Sequence, residues 1–332
     1  MIYAAVIGSG VGLKHIEALM KTKDVFIKYL CEKNIKKWRH LKKKFPNIEI
    51  ISSDKKIFED KKINLVCIAS YDNFHYEQIL DCIKNKKNFY VEKPMCMNVK
   101  QLKHIHKLLQ RNKSLSFSSN LVLRTNDLFN KIKKQINLKE LFYIEGDYIW
   151  GRFNKLNGWR SKVSNYSLIL GAAIHMIDLI VWMLEKNPES IYVKANKILT
   201  KNTNFKKESF VVMLLKFKNG VIAKITANST DNYNHFHELK IFEKKKTILS
   251  NILGQKKLNK INGKTKLLNL KGRYPDKNNR HLLLSNFIKY LKNNNRKKKN
   301  LIMKENFDLM NICFSGIKSL NTNKEIKINY FK

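Results

Sequence analysis

Three separated stretches carry residue types that could do chemistry together. The first is Gly8-Ser9-Gly10-Val11-Gly12, set between a short apolar run and a helix-forming segment. Glycines at such a junction let the backbone turn sharply and approach a pyrophosphate, which then rests on the N–H groups of the helix N-terminus. The spacing departs from G-x-G-x-x-G, with Leu13 where a third glycine is usual. Glu32 follows Gly12 at the end of the next apolar run. A carboxylate there binds the adenosine ribose hydroxyls and favours NAD over NADP, while Lys33, Lys36 and Lys37 beside it leave NADP open.

The second stretch, Glu92-Lys93-Pro94, follows the apolar run Asn88–Val91. Ligands of an open α/β sheet bind beyond the carboxyl ends of its strands, so a lysine held there by a stiff proline can reach a substrate oxygen. By itself, in so lysine-rich a chain, the same tripeptide reads as a surface turn. Ser70, Asn73 and His75 come after another apolar run, 64–69, and are expected to border the cofactor together with the glycine turn, Glu32, Glu92 and Lys93. The third stretch centres on His175, in the apolar segment 168–184. Histidine titrates near neutral pH and suits a general base, although a lone histidine on an apolar helix reads equally well as a core residue. Between these stretches lie Arg152, Trp159, Arg160 and Tyr166. Aromatic faces stack on sugar rings and arginines clamp hydroxyls or phosphates, so these four are candidate substrate contacts. The competing reading is structural aromatics on a solvated loop. Asp178 joins the substrate set, with a structural role as its alternative. His235 and His237 share one face of an expected strand but have no evident acidic or cysteine partner, so no metal site is assigned.

These residues need a scaffold, and 332 residues suggest two domains. Up to about residue 120, strand-like and helix-like segments alternate: strands at Ile2–Ile7, Val25–Cys31, 64–69, Asn88–Val91 and 115–118, and helices at 14–20, 35–45, 76–85 and Val99–Arg111. That alternation predicts a doubly wound parallel sheet with helices on both faces, over residues 1–120. From 121 to 332 the texture changes to an α+β domain with a largely antiparallel open sheet. Its expected strands are 141–150, 190–199, 210–218, 221–229 and 235–242, with Asn219-Gly220 as a hairpin signal. Helices are expected at 168–184, His281–Lys292 and 305–319, and the basic cluster 296–299 reads as a solvated loop.

Bulk composition narrows the function classes. The apolar fraction of 43% is ordinary for a globular protein. The most apolar window carries His175 and Asp178, so it reads as a core helix and not a membrane span. No secretory signal is apparent, and five scattered cysteines fit a reduced, cytoplasmic chain. The net charge of +40 comes from 58 lysines against only eight arginines, spread along the whole chain. That distribution suits compositional drift better than a nucleic-acid interface, which draws on arginine. Such a field would still attract an anionic small molecule such as a nucleotide sugar.

In order along the chain, residues 8–15, Ala69-Ser70-Tyr71-Asp72-Asn73-Phe74-His75, Glu92-Lys93-Pro94 and Ile174-His175-Met176-Ile177-Asp178 resemble the motifs of the glucose-fructose oxidoreductase / inositol dehydrogenase (Gfo/Idh/MocA) family. The resemblance spans nearly the whole chain. It implies a Rossmann domain followed by a domain whose open sheet packs helices on one face and often joins copies through the other, as a dimer or tetramer. It also implies Lys93 and His175 as a catalytic pair, the imidazole accepting a hydroxyl proton and the ammonium stabilising alkoxide charge. The expected activity is NAD(P)-dependent hydride transfer to or from a secondary alcohol or ketone of a sugar, sugar acid or nucleotide sugar. The alternative is a dinucleotide-binding sensor without catalysis, and net charge alone motivates a third, nucleic-acid-binding reading. The chain departs from the family at two points. Gly171 stands where many relatives carry an aspartate, one helical turn before the histidine, and Asn165-Tyr166-Ser167 replaces the glycines that often open this helix.

Overall fold

The computed structural model describes residues 1–261, 264–270, 272, 274 and 279–331, with only the backbone at positions 260 and 261. It divides into two units, residues 1–120 with 280–307 and residues 121–279 with 308–332.

The first unit is a six-stranded parallel sheet. Its strands are β1 (Ile2–Ile7), β2 (Val25–Cys31), β3 (Glu49–Ile51), β4 (Leu65–Ile68), β5 (Asn88–Val91) and β6 (Phe117–Ser119), in the order β3-β2-β1-β4-β5-β6. The helices between them are α1 (Gly12–Met20), α2 (Trp38–Lys44), α3 (Lys55–Glu59), α4 (His75–Lys84) and α5 (Val99–Arg111). β1 and β4 are covered on both faces, which is why both are nearly unbroken apolar runs. The order reverses between β1 and β4, so the glycine turn after β1 and the 70–75 turn after β4 lie at the switch point, where open α/β sheets bind ligands. The short β3 and α3 were not expected: three and five residues are too few to show a period.

The second unit begins with α6 (Asp127–Lys133) and β7 (Leu141–Ile149), followed by a π-turn, Ile169–Ala173, that runs directly into α7 (Ile174–Leu184). Then come β8 (Ser190–Asn196), β9 (Phe210–Lys216), β10 (Ile222–Asn228), β11 (Phe236–Glu243), β12 (Lys246–Asn251), β13 (Gly254–Ile261) and β14 (Lys264–Asn269). The chain closes with α8 (His281–Lys292), α9 (Arg296–Thr322) and β15 (Ile326–Lys327). The sheet order is β14-β13-β12-β11-β7-β10-β9-β8-β15, and every pair is antiparallel except β7 with β10. Helix α7 lies close on β7. A Cβ on Gly146 would stand 2.7 Å from Met176 Cε and 2.9 Å from Ile180 Cδ1, so glycine here lets the helix approach.

Two segments differ from the sequence expectation. Leu284, Phe287 and Ile288 of α8 enter the first unit's core beside Ile16, Leu19 and Tyr90, so α8 belongs there and not with the second domain. An apolar helical stripe says that a helix must be covered, not which sheet covers it. The basic cluster 296–299 is the first turn of α9, not a loop.

Candidate active site

Each unit supplies its own set of functional side chains. In the first, the glycines of the turn have separate reasons to be glycine. Gly8 has φ +93°, and a Cβ there would meet the backbone oxygen of Ala69 at 2.4 Å. Gly10 is exposed with open space around it, and a Cβ on Gly12 would meet Val6 Cγ1 at 2.9 Å. Val11 makes no side-chain cap on α1, so the first N–H groups of that helix are open to an acceptor. A tight turn, an open approach and an uncapped helix start together fit a dinucleotide pyrophosphate.

Glu32 sits beside this turn. Its carboxylate accepts hydrogen bonds from the Ser9 hydroxyl and from the Asn34 N–H at 2.8 Å, and pairs with Lys37 Nζ at 3.2 Å. Burial pushes Glu32 up, but those three partners outweigh it and hold the carboxyl below its ordinary range. An ionised carboxylate there can accept from ribose hydroxyls and repels a 2′-phosphate, although Lys37 offsets part of its charge. Glu92 is engaged in a network within the unit: its Oε1 lies 2.9 Å from His15 Nε2 and accepts from Asn120 Nδ2 at 2.6 Å. Tyr90 completes the network by donating to Asn120 Oδ1 at 2.8 Å. Glu92 thereby ties α1 to the ends of β5 and β6 and fixes the loop that carries Lys93, whose peptide to Pro94 is cis.

His75, expected at the cofactor's border, is held within the unit. It is 0% exposed, with Nδ1 2.8 Å from the Pro94 carbonyl and Nε2 3.2 Å from the Ser70 carbonyl. It braces the turn after β4 against the turn after β5. Ser70 donates to Gln78 Oε1 at 2.7 Å, and Asn73 is exposed in the turn that begins α4.

In the second unit, α7 is apolar and buried almost throughout, and His175 is a half-buried polar side chain on it. Its ring stacks on Tyr148 of β7, with centroids 5.9 Å apart and planes 7° apart. His237 meets the same tyrosine edge-on at 4.8 Å and His175 at 6.2 Å, and Tyr274 hydrogen-bonds His237. Sequence reasoning missed Tyr148, His237 and Tyr274 as neighbours of His175. The His235–His237 alternation was the available signal, but it named a face and not what lay opposite. Asp178, three residues after His175, faces elsewhere. It is 2% exposed and takes a forked pair from Arg124, Nε at 3.0 Å from both oxygens and Nη2 at 2.6 Å from Oδ1. It is therefore engaged as the structural partner of Arg124.

The remaining candidates form a chain of contacts leading from Tyr148. Trp150 lies 5.8 Å from the Tyr148 ring, and the Arg160 guanidinium lies 5.4 Å from Trp150 and 4.4 Å from Trp159. Arg160 thus covers aromatic surface that was expected to receive a sugar. Arg152 is exposed, and Tyr166 is buried edge-on to Trp159 and Phe205. Ser167 and Glu208 open the helix: the serine hydroxyl accepts from the Ile169 N–H at 3.0 Å, and Glu208 accepts from Ser167 at 2.6 Å and from the Leu168 N–H at 3.0 Å. A carboxylate at a helix N-terminus is electrostatically favourable.

A six-stranded parallel sheet with an open glycine turn at its switch point defines a dinucleotide-binding protein, and the mixed nine-stranded sheet behind α7 defines which kind. Residues 2–120 match the oxidoreductase family with an NAD-binding Rossmann fold, and residues 132–249 match the GFO/IDH/MocA C-terminal domain. The chain belongs to the GFO/IDH/MocA family of oxidoreductases. It is 21% identical to myo-inositol 2-dehydrogenase of Thermotoga maritima over 257 residues, covering 74% of each chain. Its fold is similar to that of scyllo-inositol dehydrogenase from Lactobacillus casei, solved with NAD(H) and scyllo-inositol (TM-score 0.75, 15% identity, 98% and 99% of the two chains). A levoglucosan dehydrogenase solved with NADH and L-sorbose is similar as well (TM-score 0.80, 13% identity, 99% of both chains).

Proposed function

We propose that this protein is an NAD-dependent dehydrogenase or reductase that moves hydride between nicotinamide and a secondary alcohol or ketone of a sugar, sugar acid or nucleotide sugar. The observation that carries the reading is His175, a half-buried imidazole on a mostly buried, mostly apolar helix, stacked on Tyr148. The similarity to inositol and levoglucosan dehydrogenases supports a polyol-like substrate. NAD, when bound, supplies the hydride acceptor. Gly8 to Gly12 and the α1 N-terminus would hold its pyrophosphate, and Glu32 its adenosine ribose. His175 would accept the hydroxyl proton, and Lys93, fixed by the Glu92 network, would hold the oxygen and stabilise its charge as the proton leaves. Arg152, Trp159 and Arg160 would contact the rest of the substrate.

On the outward face of the second sheet Tyr143 pairs across strands with Ile222 and with Phe242, and copies of the chain would meet on this face. Among the described residues no helix is long and apolar enough to cross a membrane, and all five cysteines are free and buried. Those free thiols support a reducing, cytoplasmic setting.

The test is reduction of NAD⁺, followed at 340 nm, across a panel of inositols, aldoses, uronic acids and nucleotide sugars. His175→Ala should lower turnover about 10²- to 10⁴-fold while NADH binding persists. Undiminished turnover in that variant would remove His175 as the base. Tight NADH binding with no hydride transfer to any member would favour the sensor instead.

A further inference from the structure

Two side-chain donors of the second unit are buried near each other without a partner. Trp150 is 5% exposed, and its indole Nε1 has no hydrogen-bond partner among the described residues. Nor has Nε of Arg160, which is buried too, although the guanidinium lies only 5.4 Å from the Trp150 ring. Native structures retain few buried N–H groups without an acceptor. The guanidinium is held by a hydrogen bond from Nη1 to the Lys155 carbonyl at 3.2 Å and by the faces of Trp150 and Trp159. Positive charge gathers at the same place. Desolvation, and then the like charges of Arg152 and Arg160, push the Lys155 ammonium below its ordinary value. Asp231 accepts from the Phe153 N–H, and among the described residues no carboxylate pairs with Arg152, Lys155 or Arg160. Tyr148 lies 5.8 Å from Trp150 and stacks on His175, so this cluster adjoins the proposed base.

We propose that Trp150, Arg160, Arg152 and Lys155 receive an anionic group of the substrate, a carboxylate or a phosphate, so that an acidic substrate is preferred to its neutral counterpart. The inference rests on the hydride-transfer reading above and narrows it from sugars in general to sugar acids and nucleotide sugars. A guanidinium fork matches carboxylate and phosphate oxygens, and charge-assisted bonds of this kind are stronger than neutral ones. An indole N–H only donates, so it too calls for an acceptor oxygen. Both unpartnered atoms are covered, so the acceptor reaches them as the Arg160 side chain swings toward the anion. That movement gives up one long hydrogen bond and two ring faces. A neutral sugar can accept the same hydrogen bonds, but it cannot offset the gathered positive charge.

Calorimetric titration with NADH present tests this without turnover. The probes are glucuronate against its uncharged methyl ester, and UDP-glucose against glucose. In at least one pair the acidic member should bind about tenfold or more tightly than the neutral one, and the pair that shows it identifies the group as carboxylate or diphosphate. Arg160→Gln should abolish that preference, weakening the acid about 10- to 100-fold and the neutral partner by less than about twofold. Trp150→Phe keeps a ring and removes the N–H, and should weaken the acid about 2- to 10-fold. Lys43→Gln, exposed on α2 of the first unit, should change neither, which separates the cluster from the general field of a chain with net charge +40. No preference in either pair would overturn the proposal, as would an equal loss of acid and neutral partner in Arg160→Gln, or the same loss in Lys43→Gln. Turnover of neutral sugars without any preference for acids would sink this inference and leave the hydride-transfer reading standing. Arg160-dependent binding of an acid with no hydride transfer to any substrate would do the reverse.

Discussion

Gly8→Ala and Gly10→Ala separate what holds the glycine turn together from what it is for. At Gly8 the added carbon meets the Ala69 carbonyl oxygen at 2.4 Å and its carbon at 2.8 Å, both backbone atoms at the end of a buried strand. The φ of +93° adds strain that glycine does not feel. Left-handed backbone costs roughly 1–2 kcal/mol for other residues. Overpacking typically adds about 1–3 kcal/mol. A total of about 2–5 kcal/mol is a large part of the roughly 5–15 kcal/mol that holds a protein folded. At Gly10 the added carbon meets nothing within 4 Å. Folding should be unaffected or strengthened by about 0.4–1 kcal/mol, through a less flexible unfolded chain. The same carbon enters the space through which a pyrophosphate would come. An overpacking cost of about 1–3 kcal/mol there corresponds to roughly 5- to 150-fold weaker NADH binding. Urea unfolding reads the first effect and an NADH fluorescence titration reads the second. Gly10→Ala binding NADH as tightly as wild type would take the turn out of the cofactor site, and Gly8→Ala with wild-type stability would refute the close approach to Ala69.

Asp178→Ala leaves the Arg124 guanidinium without its forked partner and should destabilise by about 3–5 kcal/mol in urea unfolding, whereas replacing both residues by apolar ones of similar volume should recover most of the loss. Burial pushes the Asp60 carboxyl up, but Lys28, the Lys62 N–H and Tyr29 outweigh it and hold it at about 2. Its folded value is below its unfolded value, so the stability it contributes is complete above 3.8 and is lost as pH falls through about 2. Asp60→Asn should therefore flatten that part of the acid unfolding curve. Gly146→Val drives a branched side chain into Met176 and Ile180 on the helix that carries His175, and should cost about 1–3 kcal/mol and lower kcat together. Glu32→Ser removes the carboxylate that would repel a 2′-phosphate while Lys37 remains, so the ratio of kcat/KM for NAD⁺ over NADP⁺ should fall.

The sequence was most informative where the signal is local. The parallel sheet follows from apolar runs and glycine or proline stops at short spacing, because each strand and its crossover helix are set by neighbours in the chain. The glycine turn, Glu92-Lys93-Pro94 and the apolar helix around His175 are visible for the same reason. Less visible were β3 and α3, too short to show a period, and the first turn of α9, which lysine content disguised as a loop.

What only the tertiary structure decided are the pairings between distant positions. Asp178 is claimed by Arg124, 54 residues earlier, and His75 by a carbonyl 19 residues later. α8 covers the first sheet although it follows all but one strand of the second. A side chain's type determines which interactions it can make, but its partner is whichever group packing brings within reach. Gly171 shows the difference most sharply. In the sequence it is a missing side chain beside His175. In the folded chain the same space is filled by the Tyr166 hydroxyl, because a packed core leaves no room for both.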